Sequence, residues 1–343
     1  MNPFSLTFGK EPKSMIERDK QTSEIVEGFR SENPEFQVCM ITGVRGSGKT
    51  VMLTAVSNEL RKEKDWIVIE LSPERDLLRA LAADLSNRTE LLQIFRDAKI
   101  NLSFLGFGIE IDGVPPVTDT VTALDRMLAQ LSKKGKKLLV TIDETVCNRQ
   151  IREFVSQFQI FLRRDYSIFL LMTGLYENIY DIQNEKTLTF LYRAPKIELS
   201  PLNRILVAKK YKSELGLDDA SADEMADIVK GYPYAFQVLG YLCYKRGLPY
   251  KSVMDEFDAY LEEYVYDKIW SELSLADRKL LASMAECEST DVADIRRIRG
   301  MSSSEFSVYR KRLMKKGIVV SNRYGTLDFS LPRFREFVNN QTV

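Results

Sequence analysis

From residue 37 onward, short apolar runs alternate with amphipathic stretches, and this alternation gives the first expectation for the fold. The apolar runs 37–42, 66–71, 137–142, 167–172 and 196–199 predict strands, while apolar residues at helical spacing predict helices over 50–62, 73–98, 118–132 and 148–165. Strands and helices in regular turn are the pattern of a parallel sheet wrapped by helices. One segment departs from it. Residues 100–112, INLSFLGFGIEID, alternate with period two about Gly106 and Gly108, which predicts a hairpin inserted on the sheet domain. After Pro201 no strand pattern returns until Gly317, and the intervening sequence reads as helices punctuated at Gly216, Gly231-Tyr232-Pro233 and Gly247-Leu248-Pro249. The expected organisation is an α/β sheet domain over 1–200, a helical domain over 201–268 and a third unit over 269–343, with no internal repeat or low-complexity tract.

Composition narrows the chemistry. A hydrophobic content of 44% over 343 residues is enough for two or three cores. Lys plus Arg and Asp plus Glu each total 49, so the molecule as a whole has no field that draws it to nucleic acid or membrane. The four cysteines, Cys39, Cys147, Cys243 and Cys287, lie far apart without a CxxC pair, which predicts buried free thiols in a reducing cytosol. The opening MNPFSLTFGKEPKS lacks the apolar run of a signal peptide and no later segment is apolar for long enough to span a bilayer, so a soluble cytoplasmic protein without membrane partners is expected. With no histidine in the chain, an imidazole base and a histidine-ligated metal are excluded.

The strongest motif follows the first expected strand. Gly43, Val44, Arg45, Gly46, Ser47, Gly48, Lys49 and Thr50 match GxxxxGK[ST] in full, between a strand and a helix as the motif requires. Glycines let the loop curl so that main-chain N–H groups turn toward phosphate oxygens, and the following helix adds the positive end of its dipole. Lys49 would neutralise the β and γ phosphates, and the Thr50 hydroxyl would ligate magnesium. ATP or a closely related nucleoside triphosphate, with Mg2+, is the expected ligand. A second part lies at 137–144, where an apolar strand delivers Asp143 and Glu144 at the sheet edge that binds ligands in open α/β folds. Asp143 would hold the magnesium shell and Glu144 would polarise the attacking water. Thr173, leaving the fourth strand, would set a hydroxyl on the same edge, while Arg193, just before the fifth, would stabilise transition-state charge in its own subunit or a neighbouring one.

Together these residues resemble the AAA+ and STAND branch of P-loop ATPases, especially the origin-recognition-like prokaryotic ATPases, over most of the chain. The resemblance implies a P-loop ATPase domain, a helical lid and adenine as the base. Ser14-Met15-Ile16-Glu17-Arg18-Asp19 resembles the family's amino-terminal box, which would put Met15 and Ile16 against adenine with Arg18 nearby; the family usually has glycine where Glu17 stands. Gly231-Tyr232-Pro233 resembles the GxP motif of STAND ATPases, whose proline, here Pro233, touches the nucleotide. Replication-initiator relatives would show an arginine close by on that helix, where this chain has Phe236-Gln237, and the departure favours a STAND-like switch over a rapid motor.

The last unit reads as helices over 275–287, 292–299 and 303–316, then strands over 317–320 and 326–329 flanking a turn at 322–325. That is the order of a winged helix-turn-helix, with Ser302 and Glu305 forming a capping box before the third helix. With Phe306, Tyr309 and Leu313 inward, Ser307, Lys311 and Arg312 would face outward as nucleic-acid contacts, joined by Arg323 on the wing. From Ser271 onward there are thirteen Lys or Arg against nine Asp or Glu, leaving thirty-six against forty in the remainder, so the basic excess is local. The leading expectation is an ATP-dependent switch that couples nucleotide state to a winged helix on double-stranded DNA. The alternative is an ATP-dependent homo-oligomeric scaffold or signalling protein whose winged helix binds protein.

Overall fold

The five expected strands lie side by side in the computed structural model, which describes residues 1–7, 12–106, 110–298 and 300–341. They are β1 (Val38–Thr42), β2 (Trp66–Leu71), β3 (Lys137–Ile142), β4 (Ile168–Gly174) and β5 (Lys196–Glu198), all parallel and in the order β2-β3-β4-β1-β5. Every residue of β1 and β4 is buried, as a strand covered on both faces requires, whereas Lys196 and Glu198 of the edge strand β5 are exposed.

Among the described residues, seven helices wrap this sheet: α1 (Asp19–Arg30), α2 (Lys49–Arg61), α3 (Leu77–Asn87), α4 (Thr89–Asp97), α5 (Thr120–Lys133), α6 (Arg149–Arg163) and α7 (Tyr176–Gln183). The apolar stripes of α3, α5 and α6, including Leu81, Met127 and Phe158, share a core with Met40, Val140 and Leu170 of the sheet. Opposite, Phe169 of β4 meets Phe29 of α1 and Trp66 of β2 at ring distances of 5.3 and 4.9 Å. The single helix expected over 73–98 is two. Asp76 caps α3 by accepting from the Arg79 amide, and Arg88 stands extended between α3 and α4, its guanidinium donating to the Val68 carbonyl at 2.9 Å. The expected hairpin over 100–112 is corrected: Ser103–Leu105 forms a single 3-10 turn and the described flanks contain no strand, while the expected tip at Gly108 lies outside the described residues. Asn101 holds this segment, donating from its side chain to the Val114 carbonyl at 2.7 Å.

By contact density the chain forms two units, one of Arg18–Thr42 and Lys49–Glu198, the other of Met1–Glu17, Gly43–Gly48 and Leu199–Val343. The second begins with α8 (Arg204–Leu215), α9 (Asp219–Val229), α10 (Pro233–Arg246) and α11 (Met254–Leu261), followed by a π-helical turn over Glu262–Tyr266 and α12 (Asp267–Ser271). It continues through α13 (Leu275–Glu286), α14 (Val292–Ile298), α15 (Ser303–Lys315), the antiparallel pair β6 (Val319–Val320) and β7 (Asp328–Phe329), and α16 (Phe334–Asn339). The helix expected to reach Arg299 ends its description at Ile298, and Arg299 lies outside the described residues.

One apolar cluster runs through the whole of this unit, from Phe4 to Val338. Tyr266 packs edge-on against Phe334 at 4.9 Å and Trp270 against Phe337 at 6.0 Å, so the boundary expected near residue 268 falls within shared core. Helix α16, which carries Phe334 and Phe337, was not among the expected elements.

Candidate phosphate and metal site

Parallel pairing brings three strand ends together. Thr42 of β1 is level with Gly174 of β4, and Ile142 of β3 is level with Met172. Asp143 and Glu144 therefore leave the sheet beside Thr173. The Asp143 carboxylate accepts from the Thr50 hydroxyl at 2.6 Å on one oxygen and from the Thr173 hydroxyl on the other. Lys49, the first residue of α2, is buried beside Thr50 in the sequence. A threonine hydroxyl and a carboxylate oxygen at hydrogen-bonding distance are hard donors of the kind magnesium takes, and such a site takes its remaining ligands from water and phosphate. Among the described residues no group of three Asp, Glu, Cys or His forms a self-sufficient metal cage.

Glu144 is exposed and holds a left-handed backbone at φ 51°, which costs a residue with a Cβ about 1–2 kcal/mol. Its neighbours impose the conformation. The Glu144 amide donates to Asp143 Oδ1 at 3.0 Å and Thr173 Oγ1 at 3.3 Å, the Thr145 amide donates to the Thr173 carbonyl at 2.7 Å, and the buried Thr145 hydroxyl donates to the Ile142 carbonyl at 3.2 Å. Gly174 leaves room for this turn: a Cβ there would lie 3.0 Å from the Thr145 carbonyl and 3.1 Å from Ile179. Thr145 was missed from sequence, although a small hydroxyl directly after the acidic pair was its available signal.

Arg193 closes the 3-10 turn Thr189–Arg193 ahead of β5 and is exposed, next to Tyr192, which is 70% exposed. Arg18 begins the sheet unit. Its guanidinium donates to Gln21 Oε1 at 3.4 Å, and burial lowers its proton affinity from the ordinary arginine value.

Residues 43–48 follow β1 in the chain and group with the helical unit by contact density. Gly46 and Gly48 have φ of 76° and 90°, where L side chains are strained. The buried Tyr232 hydroxyl donates to the Arg45 carbonyl at 2.5 Å, and a Cβ on Gly46 would stand 2.2 Å from that hydroxyl. Pro233, the first residue of α10, approaches to 4.0 Å of a Cβ built on Gly48. The Val44 side chain lies 3.5 Å from a Cβ built on Gly317, and Arg45 pairs with Glu272 at 3.4 Å. Ser47 is buried, its amide donating to the Val44 carbonyl at 3.2 Å. Burial raises the Tyr232 phenol far above its ordinary value, and Tyr234 is pushed up to about 12, first by burial and then by Tyr264, Tyr260 and Glu263.

In the amino-terminal box, Met15 and Ile16 are half-buried, and Ile16 packs on the helical core. Gln237 binds this segment: it accepts from the Ser5 amide at 3.0 Å and donates to the Ser14 carbonyl at 2.7 Å. A glutamine thus stands on the helix where replication-initiator relatives would show an arginine, and it fastens the amino terminus to α10.

On α15, Phe306 and Leu313 are buried and Tyr309 half-buried, and the Ser302 hydroxyl accepts from the Glu305 amide at 3.2 Å. Ser307 and Lys311 are exposed on the helix, as are Arg323 and Tyr324 on the turn between β6 and β7. Arg312 differs from its expected outward direction. Its Nε donates to the buried Asp277 carboxylate at 2.8 Å and its Nη2 to Ser274 Oγ at 3.0 Å, because a buried charge is strongly disfavoured without a counter-ion.

A phosphate loop ahead of a helix, with an acidic strand end bonded to that helix, is the arrangement of a P-loop ATPase. Residues 14–146 match the AAA ATPase domain family, and residues 263–338 match a domain of unknown function, DUF8462. No curated protein matches the sequence. Among solved structures the chain is similar to the Walker-type ATPase PABY2304 of Pyrococcus abyssi, at 16% identity over 98% of this chain and 99% of that one, with a TM-score of 0.68. It is also similar to the Aeropyrum pernix ORC2 protein, solved in ADPNP-ADP complexes, at 15% identity over 97% and 96% of the two chains, with a TM-score of 0.59. The likeness to these two proteins is one of fold.

Proposed function

We propose that the protein is an ATP-dependent switch in which nucleotide at the Gly43–Thr50 loop alters the engagement of a C-terminal winged helix with double-stranded DNA. The observation that carries the nucleotide half is the Thr50–Asp143 hydrogen bond of 2.6 Å, which joins two candidate magnesium ligands from distant parts of the sequence. In this reading Lys49 and the loop amides bind the triphosphate, Met15, Ile16 and Arg18 receive the base, and Pro233 follows the nucleotide's state. Mg2+, when bound, neutralises charge on the β and γ phosphates. Glu144 accepts a proton from the water that attacks the γ phosphorus, Thr173 orients that water, Arg193 steadies the charge on the departing ADP, and the bond between γ phosphorus and the β,γ-bridging oxygen breaks.

The DNA half rests on the helix, helix, helix, strand-pair order of 275–329 and on Ser307, Lys311 and Arg323 at its surface. Arg312 contributes through its pairing with Asp277, holding α15 against α13. DNA affinity measured with ATP, with ADP and without nucleotide tests the coupling, and three equal affinities would end it.

A second reading is favoured by one feature, the exposed Arg193 beside the exposed Tyr192. If Arg193 serves a neighbouring copy, ATP drives homo-oligomers, and the C-terminal unit binds protein. Light scattering with and without ATP decides, a constant monomer refuting it. A cytoplasmic setting is supported by the four free cysteines. Among the described residues no helix is long and apolar enough to cross a membrane.

A further inference from the structure

We propose that Tyr232 is a positioning residue of the phosphate cradle and that, together with Lys230, it ties the cradle to the C-terminal strand pair; the inference rests on the nucleotide-binding reading above. Tyr232 acts on a single peptide group. The Arg45 carbonyl that accepts from Tyr232 belongs to the same peptide as the Gly46 N–H. A trans peptide is planar, with its C=O and N–H pointing in opposite directions, and no described peptide is cis. Fixing the Arg45 oxygen on Tyr232 therefore turns the Gly46 N–H away from Tyr232 and holds it in one direction, as an amide that donates to a phosphate requires.

The two groups are also fitted to each other. A side chain at position 46 would collide with the Tyr232 hydroxyl, so glycine is required by the tether as well as by its φ of 76°. Tyr232 is 4% exposed, and burial keeps its phenol protonated, hence a donor, over the working pH range. An anion that accepts from the Gly46 amide polarises the same peptide and makes the Arg45 oxygen a stronger acceptor, so phosphate binding and the tether strengthen one another.

The other end of this short segment is anchored too. Lys230 holds a left-handed φ of 48°, and its ammonium donates to the Phe329 carbonyl of β7 at 3.0 Å. Between these anchors the Gly231 carbonyl accepts from the Leu202 amide at 2.8 Å, and the Tyr232 amide donates to the Val229 carbonyl at 2.8 Å. Residues 230–232 thus form a braced turn with one bond to the phosphate loop and one to the strand pair. By reciprocity of linkage, a change at either end alters affinity at the other.

Calorimetry of MgATP and MgADP binding to the full chain tests this with Tyr232→Phe, Lys230→Met, the double variant and Tyr266→Phe. The last removes another buried tyrosine hydroxyl of the same core, one that donates to the Pro332 carbonyl, and serves as the control for a merely structural loss. Tyr232→Phe is expected to weaken both nucleotides about tenfold, while Tyr266→Phe leaves affinity unchanged at a similar loss of melting temperature. Lys230→Met is expected to weaken binding by less, and the double variant to match Tyr232→Phe alone. Wild-type affinity in Tyr232→Phe, or equal weakening by Tyr266→Phe, would overturn the positioning role. Additive losses in the double variant would overturn the tie to the strand pair. Absence of binding by the wild type would instead defeat the nucleotide reading itself, and this inference with it.

Discussion

Thr50 and Asp143 stand 93 positions apart in the chain, yet the threonine hydroxyl donates to the aspartate carboxylate at 2.6 Å. A group that holds the coordination sphere of a cation is expected to weaken metal affinity by about 10–100-fold when neutralised. Asp143→Asn should therefore raise the Mg2+ concentration needed for half-maximal phosphate release by that factor. Calorimetry of ATP without metal should change far less.

Lys49→Ala should abolish triphosphate binding, whereas Glu144→Gln should retain binding and lose phosphate release. Unchanged release by Glu144→Gln would remove Glu144 from its role. Because Glu144 sits at φ 51°, Glu144→Gly should also lose hydrolysis but gain about 1 kcal/mol of stability, read as a higher urea midpoint.

Gly174→Ala should destabilise the sheet unit by about 1–3 kcal/mol, since its Cβ would press on the Thr145 carbonyl and Ile179. The same displacement moves Thr145 and with it Glu144, so turnover should fall more than nucleotide affinity. Equal melting temperatures for variant and wild type would contradict this.

Arginine and lysine on α15 should behave differently. Removing Arg312 leaves the Asp277 carboxylate, 1% exposed, without its cation, and Arg312→Ala should cost about 1–3 kcal/mol of stability, measured by denaturant titration. Lys311→Ala and Arg323→Ala should leave stability nearly unchanged, weaken DNA binding, and each reduce the salt slope of the affinity by about one.

One pH effect follows from Asp119, the cap of α5. Its side chain accepts from the Thr122 amide at 2.8 Å, and hydrogen bonding to Thr122 holds its carboxyl below the ordinary 3.8. A depressed folded value means stability present above the unfolded value and lost as pH falls through the folded one. Asp119→Ala should cost about 1 kcal/mol at neutral pH, and the gap from wild type should close in acid below 3.8.

How much the sequence foretold depends on whether local signals were enough. The strands β2 and β3 fall where continuous apolar runs put them, because burial on both faces leaves little else. Helix periodicity alone could not show the break at Arg88, which depends on a bond to the distant Val68 carbonyl. The alternation in 100–112 predicts a strand pair, but Asn101 bonds to the chain across the segment and a 3-10 turn follows. At the site, the loop and acidic pair were legible as motifs. Tyr232 and Gln237 were not, since each acts through a backbone partner distant in sequence. Arg312 was misdirected for the same reason: helical spacing gives a direction to a side chain, and the buried Asp277 on another helix supplies a stronger claim.

The apolar cluster that runs from Phe4 to Val338 limits how the carboxy-terminal quarter can be used. Cutting the chain near residue 268 would strip Phe334 and Phe337 from Tyr266 and bare aromatic surface on both fragments. The tail is therefore no detachable reader on a tether, and whatever it recognises is presented by a body that must fold with it.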